Sequence, residues 1–560
     1  MEKISAQERK EGSFLKKQTF FKGSLILMIS AAIAKVLGAL FKIPLTNVLG
    51  GIGMGYFSCA YGLFLPIYAL SVTGLSAAVA KNTAEAAATG CWKNVRRIRS
   101  TARLLFAGLG ALLTLVILLA ARPFAHFTAG DENAAYAVLM IAPSALFGCM
   151  SAVERGYYEG LQNMYPTAMS QAAEAAVKVI AGLWLSGVVL EHEEAVLLYF
   201  PDGTDILAVS AAAAVLGVTI STAAGFLYFL LRNLFGDGLR KQEQCGESAD
   251  SHRNIGKALI RTMLPIALGS VAATLTSIID LCTVMRCLGF SQEHSMDELT
   301  ARFGDMASEE TFPAFVYGAF TGMAITVFNL IPSVTNMFGR SVLPCAARAW
   351  AKGRTDSLRE QVRSVSLAAG MLAVPAGMGL FLLAEPVMNV LYSGHSEEAS
   401  IAADALRALV TGMVCLCIVS PLFSIMQGIG RADLPVKITL CGVGAKLVCN
   451  LILVPMPLFA VTGAGISTSL CYALMLVLSL YELRKMLSGG LGFIRTITPI
   501  VYASLMSTGA AYLTSSLLCG YGGLIQLGGA VSGAVLMYAL VLWLMGHSSE
   551  KIRESLTLRM

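Results

Sequence analysis

Lys35, Lys42, Lys178 and Lys446 stand inside stretches whose other residues are almost all apolar, and Arg155, Glu174 and Asp280 share such settings. A charge at the centre of a bilayer costs at least about 2.5–3.5 kcal/mol when it faces lipid, so each of these should face protein, water or a ligand. A buried ammonium with no protein carboxylate beside it is a candidate host for a ligand anion such as phosphate. Spacing sharpens the reading. Lys42 follows Lys35 at i+7, only about 20° round a helix, so the two amines share a face. Lys178 lies roughly 18 Å along a helix from Pro166, and Lys446 roughly 17 Å from Pro435, so both reach similar depths. Glu174, one turn before Lys178, can pair with it. The matching position before Lys446 is Gly442, which leaves that lysine no local partner, and Asp280 has no base one turn away. The expected anion site is therefore Lys35, Lys42, Lys178, Lys446 and Arg155, with Glu174 and Asp280 as charge-pairing or ion-coupling groups. Arg261 and Arg340, near span ends, are expected at a cytoplasmic gate or rim. The competing expectations are interfacial anchoring for the arginines and interhelical pairing with Glu174 or Asp280 for the lysines.

Long apolar helices must carry these residues. The chain has 560 residues, 56% hydrophobic and 14% charged, against roughly 25% charged in an ordinary soluble domain. That composition excludes a soluble globular enzyme, a disordered chain and a coiled coil. Blocks long enough to cross a hydrocarbon core, which takes about 20 helical residues, give about fourteen spans. They run from 23–47 and 55–80 through 313–340 to 495–518 and 523–546. The connections alternate between basic ones, such as Lys93–Arg103 and Arg348–Arg363, and neutral or acidic ones, such as Gly50–Gly55 and Glu191–Asp205. Positive charge stays on the cytoplasmic side, which puts both termini in the cytoplasm. The net charge of +6 is thus a topology signal rather than a nucleic-acid footprint. The chain carries no GxxxxGK[ST] phosphate loop and no HExxH, and its 13 cysteines are scattered. No ATP motor, metal site or cofactor is expected.

Internal repetition organises the spans. Gly160 to Lys178 and Gly428 to Lys446 have the same length, each beginning with a turn and a proline. Lys22 through Gly50 aligns in spacing with Arg261 through Gly289. The fold class expected is an all-α polytopic membrane protein of two pseudo-symmetric six-helix lobes and a C-terminal helix pair. The lobes are 1–235 and 257–485, joined by a cytoplasmic linker at 236–256 and followed by 486–560. Such repeats usually hold substrate at their seam.

The segment Arg155-Gly-Tyr-Tyr-Glu-Gly-Leu-Gln-Asn-Met-Tyr-Pro-Thr-Ala-Met-Ser-Gln, continuing to Glu174 and Lys178, resembles the polysaccharide-transport branch of the multidrug/oligosaccharidyl-lipid/polysaccharide (MOP) exporters. It is most similar to the stage V sporulation protein B type, related to the MurJ lipid II flippases. Phe21-Lys-Gly-Ser-Leu-Ile-Leu, Ala34-Lys-Val-Leu-Gly and Gln427-Gly-Ile-Gly-Arg-Ala-Asp-Leu-Pro435 extend the resemblance over nearly the whole chain. It implies a two-lobed fold with a cationic cavity that moves undecaprenyl-diphosphate-linked saccharides across the bacterial cytoplasmic membrane, for cell-wall or polysaccharide synthesis. The family's first-helix basic position falls on Lys35, and a second basic position on Lys42. Membrane lipids, cell-wall synthases and Na+ or H+ are the further partners it suggests. This sequence departs from the pattern by placing lysine where relatives often have arginine, which exchanges a bidentate fork for a point charge. The 291–312 and 236–254 connections are also long. A multidrug/cation antiporter of the same superfamily predicts intramembrane acids without surplus lysines. A non-transporting scaffold of a cell-wall synthase complex predicts no lipid specificity.

Overall fold

The computed structural model describes residues 20–69, 74–129, 131–201, 203–234, 250–487, 493–518 and 520–544. These residues are overwhelmingly helical. The first helical segment, α1 (Phe20–Tyr68), covers the first expected span and the second as far as Tyr68, as two helices that meet at a kink. It is interrupted only at Gly50, whose φ of 63° and ψ of −169° break the hydrogen-bond ladder. That φ suits a residue without a Cβ, so one glycine does the work expected of the Gly50–Gly55 loop.

The chain packs as two units. One takes the described residues of Met1–Leu49 with Tyr56–Ile278, and the other takes Gly50–Gly55 with Ile279–Met560. The first unit contains α2 (Gly74–Ala88), α3 (Trp92–Ala129), α4 (Ala134–Ile141), α5 (Ser144–Gly160), α6 (Tyr165–Glu191) and α7 (Ile206–Leu234). Helix α8 (His252–His294) begins in this unit and passes to the other after Ile278. The linker expected at 236–256 lies mostly outside the described residues. The second unit contains α9 (Leu330–Ala351), α10 (Thr355–Leu382), α11 (Ala384–Leu391), α12 (Ser396–Gly428), α13 (Asp433–Leu453), α14 (Val461–Met486), α15 (Phe493–Leu517) and α16 (Gly523–Leu544).

Within each unit the same partnerships recur. In the first, α5 packs on α2, α3 and α7, while α6 packs on α7. In the second, α12 packs on α9, α10 and α14, while α13 packs on α14. The turns that open α6 and α13 are closed by one motif. Helix α5 ends as the amides of Gln162 and Asn163 donate to the carbonyls of Glu159 (2.9 Å) and Tyr158 (3.0 Å). Helix α12 ends as the amides of Gly430 and Arg431 donate to those of Gln427 and Met426, both at 3.0 Å. This is the Schellman arrangement, in which the residue after the cap turns left-handed, with φ of 58° at Gln162 and 82° at Gly430. The core of the first unit is apolar, with Leu75, Val79, Phe106, Val153, Tyr157 and Phe229 all buried. The C-terminal pair stays with the second unit, α15 packing on α10 and α16 on α15 and α11.

Among the described residues, eleven helices are long and apolar enough to cross a membrane. The number is twelve if Met296–Ser308 and Phe312–Phe328, bent by 99°, form one broken span. About fourteen spans are expected of the whole chain, and the helices that fall outside the eleven have local features that set them apart. The kink at Gly50 separates the first two expected spans. The region expected as 313–340 is divided by a π-helical turn at Ala319–Ala324 and restarts at Leu330. Helix α15 forms where a span was expected but is rich in serine and threonine and is not among the eleven. The long 291–312 connection is largely helical, through Met296–Phe303 and Gly304–Ser308.

Candidate functional site

In the first unit, α6 carries Lys178 to α1. Its Nζ donates to the Tyr61 hydroxyl at 2.6 Å and lies 4.9 Å from the Phe41 ring centroid and 5.0 Å from that of Tyr61. Aromatic faces stabilise a cation by about 0.5–2 kcal/mol. They hold the amine in place without removing its charge. Among the described residues no carboxylate forms an ion pair with Lys178. Lys42, on α1 beside Phe41, lies close enough for the two charges to repel. Positive charge is therefore gathered on two helices within a membrane-spanning bundle, and a polyanion is the chemistry that relieves it. Lys35 lies on α1 two turns before Lys42, but its side chain is outside the described residues.

Glu174 does not pair with Lys178. Arg155, reaching from α5, takes it with an Nη2–Oε2 contact of 2.5 Å, and the Arg155 Nε donates to Ser170 Oγ at 3.1 Å. Gly225 of α7 leaves room for the pair, since a Cβ there would stand 3.3 Å from a Glu174 oxygen. Arg155 is only 6% exposed. Its expected place as an anion ligand gives way to a buried pair, because a desolvated guanidinium needs a carboxylate more than a half-buried amine does.

Lys446 follows the competing expectation of interhelical pairing with Asp280. It is 2% exposed and pairs with Asp280 of α8 at 2.6 Å. Asn450 Nδ2 donates to the other Asp280 oxygen at 3.1 Å and to Thr283 Oγ1 at 2.9 Å, while Ser467 donates to Asn450 Oδ1. The lysine that lacked a local partner has one 166 residues away in sequence, and it is not an open anion site. The two repeats thus deliver lysines in the same register to opposite fates.

Of the expected rim residues, Arg261 is exposed on α8, and the Arg340 side chain on α9 lies outside the described residues. The sequence reading missed Tyr61, which no charge or repeat marks. It also took Arg99 and Arg103 as topology signals alone. Both ion-pair with Glu154, buried on α5, and Arg99 reaches Asn233 on α7 at 2.5 Å and lies 4.1 Å from the Tyr157 ring centroid. Their i, i+4 spacing was the available signal. In the second unit a cavity of about 520 Å³ is lined by apolar groups including Met371, Pro375, Leu380, Ala511 and Val535. Its Ser507 and Tyr538 hydroxyls donate to backbone carbonyls, so it suits hydrocarbon rather than a headgroup. Among the described residues no group of three or more His, Cys, Asp or Glu is placed to hold a metal ion.

Known proteins agree with this architecture. Lipid II flippase MurJ in an inward closed conformation matches with a TM-score of 0.63 at 14% identity, covering 93% of this chain and 99% of that one. An inward-facing multidrug resistance MATE family transporter of the MOP superfamily matches at 0.62 and 15%, covering 82% and 94%. At these identities the likeness is one of fold. In sequence, stage V sporulation protein B of Bacillus subtilis (strain 168) is 23% identical over 80% of this chain and 81% of its own length. Lipid II flippase MurJ of the same organism is 23% identical over 80% of each. The family described as lipid II flippase MurJ matches residues 326–528. The family described as polysaccharide biosynthesis protein matches residues 20–350, more than half of the chain, and to that family this multi-pass membrane protein belongs.

Proposed function

We propose that the protein is a transporter, not an enzyme, that flips undecaprenyl-diphosphate-linked saccharides, lipid II or a related glycan precursor, across the bacterial cytoplasmic membrane by alternating access. The observation that carries this reading is the Lys178 amine, held by Tyr61 and aromatic faces with a second lysine near it and no ion-paired carboxylate among the described residues. A diphosphate brings the charge that such a site lacks. Lys35, seven residues before Lys42 in the sequence, is the further basic residue assigned to this role. The basic loops support a topology with both termini in the cytoplasm.

The antiporter alternative wants available intramembrane acids. Glu174 and Asp280 already hold Arg155 and Lys446, so an ion coupled through either must first displace a protein cation. Membrane potential acts on substrate charge directly, at about 2.3 kcal/mol per elementary charge per 100 mV.

The test is complementation of a bacterial strain depleted of its lipid II or polysaccharide-precursor flippases. Lys178→Gln and Lys42→Gln should each abolish growth rescue while membrane abundance stays normal. Full rescue by both variants would remove the proposed anion site.

A further inference from the structure

The geometry points to Arg155 as a positioning residue that keeps Lys178 available to the ligand by holding Glu174 away from it. The inference rests on the reading of Lys178 as an anion-binding amine. Glu174 sits one turn before Lys178 on α6, the spacing at which a glutamate and a lysine pair across a helix face. Left to local geometry the two would neutralise each other. Arg155 prevents this from another helix: its Nη2 holds Glu174 at 2.5 Å, and Ser170 fixes its Nε at 3.1 Å. Lys178 is left to Tyr61, a neutral acceptor. The second repeat supplies the contrast. The position before Lys446 is Gly442, no carboxylate needs restraint there, and the lysine is instead neutralised by Asp280. In the first repeat a carboxylate is present and withheld.

The arrangement separates two tasks that charge counting merges. A glutamate inside the span gives the buried guanidinium its counter-charge, and the guanidinium keeps that glutamate from quenching the site. Glu159, one turn beyond Arg155 on α5, accepts a long 3.5 Å hydrogen bond from Ser76 and also feels the Arg155 charge. It is carried on a different helix from Lys178 and serves as the control.

The experiment measures the affinity of the purified full chain, in detergent, for undecaprenyl diphosphate by native mass spectrometry, with thermal stability followed in parallel. Arg155→Met releases Glu174 and should weaken binding roughly tenfold, the size of one nearby charge acting through a partly screened medium. Arg155→Met/Glu174→Gln should restore affinity to within about twofold of the unsubstituted chain, and Arg155→Lys should keep most of it. Glu174→Gln alone should leave binding unchanged or tighter. Arg155→Met/Glu159→Gln should stay as weak as the single variant. A double Arg155/Glu174 variant as weak as Arg155→Met, or a loss of affinity in Glu174→Gln, overturns the inference and makes Arg155 a direct ligand or a purely structural residue. Unchanged affinity in Lys178→Gln refutes the underlying reading instead, so the two failures are told apart.

Discussion

Lys178 and Lys446 occupy one register in two repeats, and a single substitution at either should reveal how different their surroundings are. Lys446 is tied to Asp280 in a network with Asn450, Thr283 and Ser467. Removing one member of a buried pair strands the other charge, at a cost of about 3–5 kcal/mol, while replacing both with apolar groups is often neutral or better. Asp280→Ala should therefore lower the thermal unfolding midpoint sharply, and Asp280→Leu/Lys446→Met should recover most of the loss. Lys178→Met should shift stability by no more than about 1 kcal/mol, because no ion pair is broken and an amine near Lys42 is lost. Equal destabilisation at both lysines would mean that neither is held for a ligand. The lysines and their depths were legible in the sequence because charge inside an apolar block stands out. Of their partners, Asp280 was legible as an interhelical candidate and Tyr61 was not. Local spacing pairs Glu174 with Lys178, whereas the fold brings Arg155 to Glu174 and Asp280 to Lys446 from other helices.

At the level of helices, the repeat was readable from the constant Gly-to-Lys interval, and the turns that open α6 and α13 bear it out in hydrogen-bond detail. One position breaks the likeness. Gln162 holds the left-handed conformation that Gly430 supplies in the second repeat, and a residue with a Cβ gives up roughly 1–2 kcal/mol there. Gln162→Gly should stabilise the protein by about 0.5–1 kcal/mol, and Gly430→Gln should destabilise it by about 1–2 kcal/mol, as read by chemical or thermal unfolding. Opposite signs at equivalent positions would mark the turns as the same device. Nothing in a glutamine's chemistry announces a left-handed backbone, so this feature had to come from the fold. Breaks within the spans were legible only in part for a related reason. Hydropathy marks the break at Gly50–Gly55, where a kink at Gly50 separates two helices, but it records apolar length rather than helix type and misses the π-helical turn at Ala319–Ala324.

For the molecule as a whole, composition alone established the membrane class, and the partnerships α5–α2 and α12–α9, α6–α7 and α13–α14 repeat the same bundle in each unit. What differs between the bundles is electrostatic. The first holds a lysine without an ion-paired carboxylate among the described residues and an arginine that occupies the nearest acid, while the second neutralises its lysine internally. The division predicts that ligand recognition follows substitutions in the first bundle and stability follows those in the second. The most direct measurement is a competition in which the purified protein is offered equimolar undecaprenyl diphosphate, undecaprenyl monophosphate and phosphatidylethanolamine, with bound lipid read by native mass spectrometry. The diphosphate should dominate on the unsubstituted chain and on the folded fraction of Asp280→Leu/Lys446→Met, and the preference should vanish in Lys178→Gln. Equal retention of the three lipids by the unsubstituted chain, or an undiminished diphosphate preference in Lys178→Gln, would contradict the account.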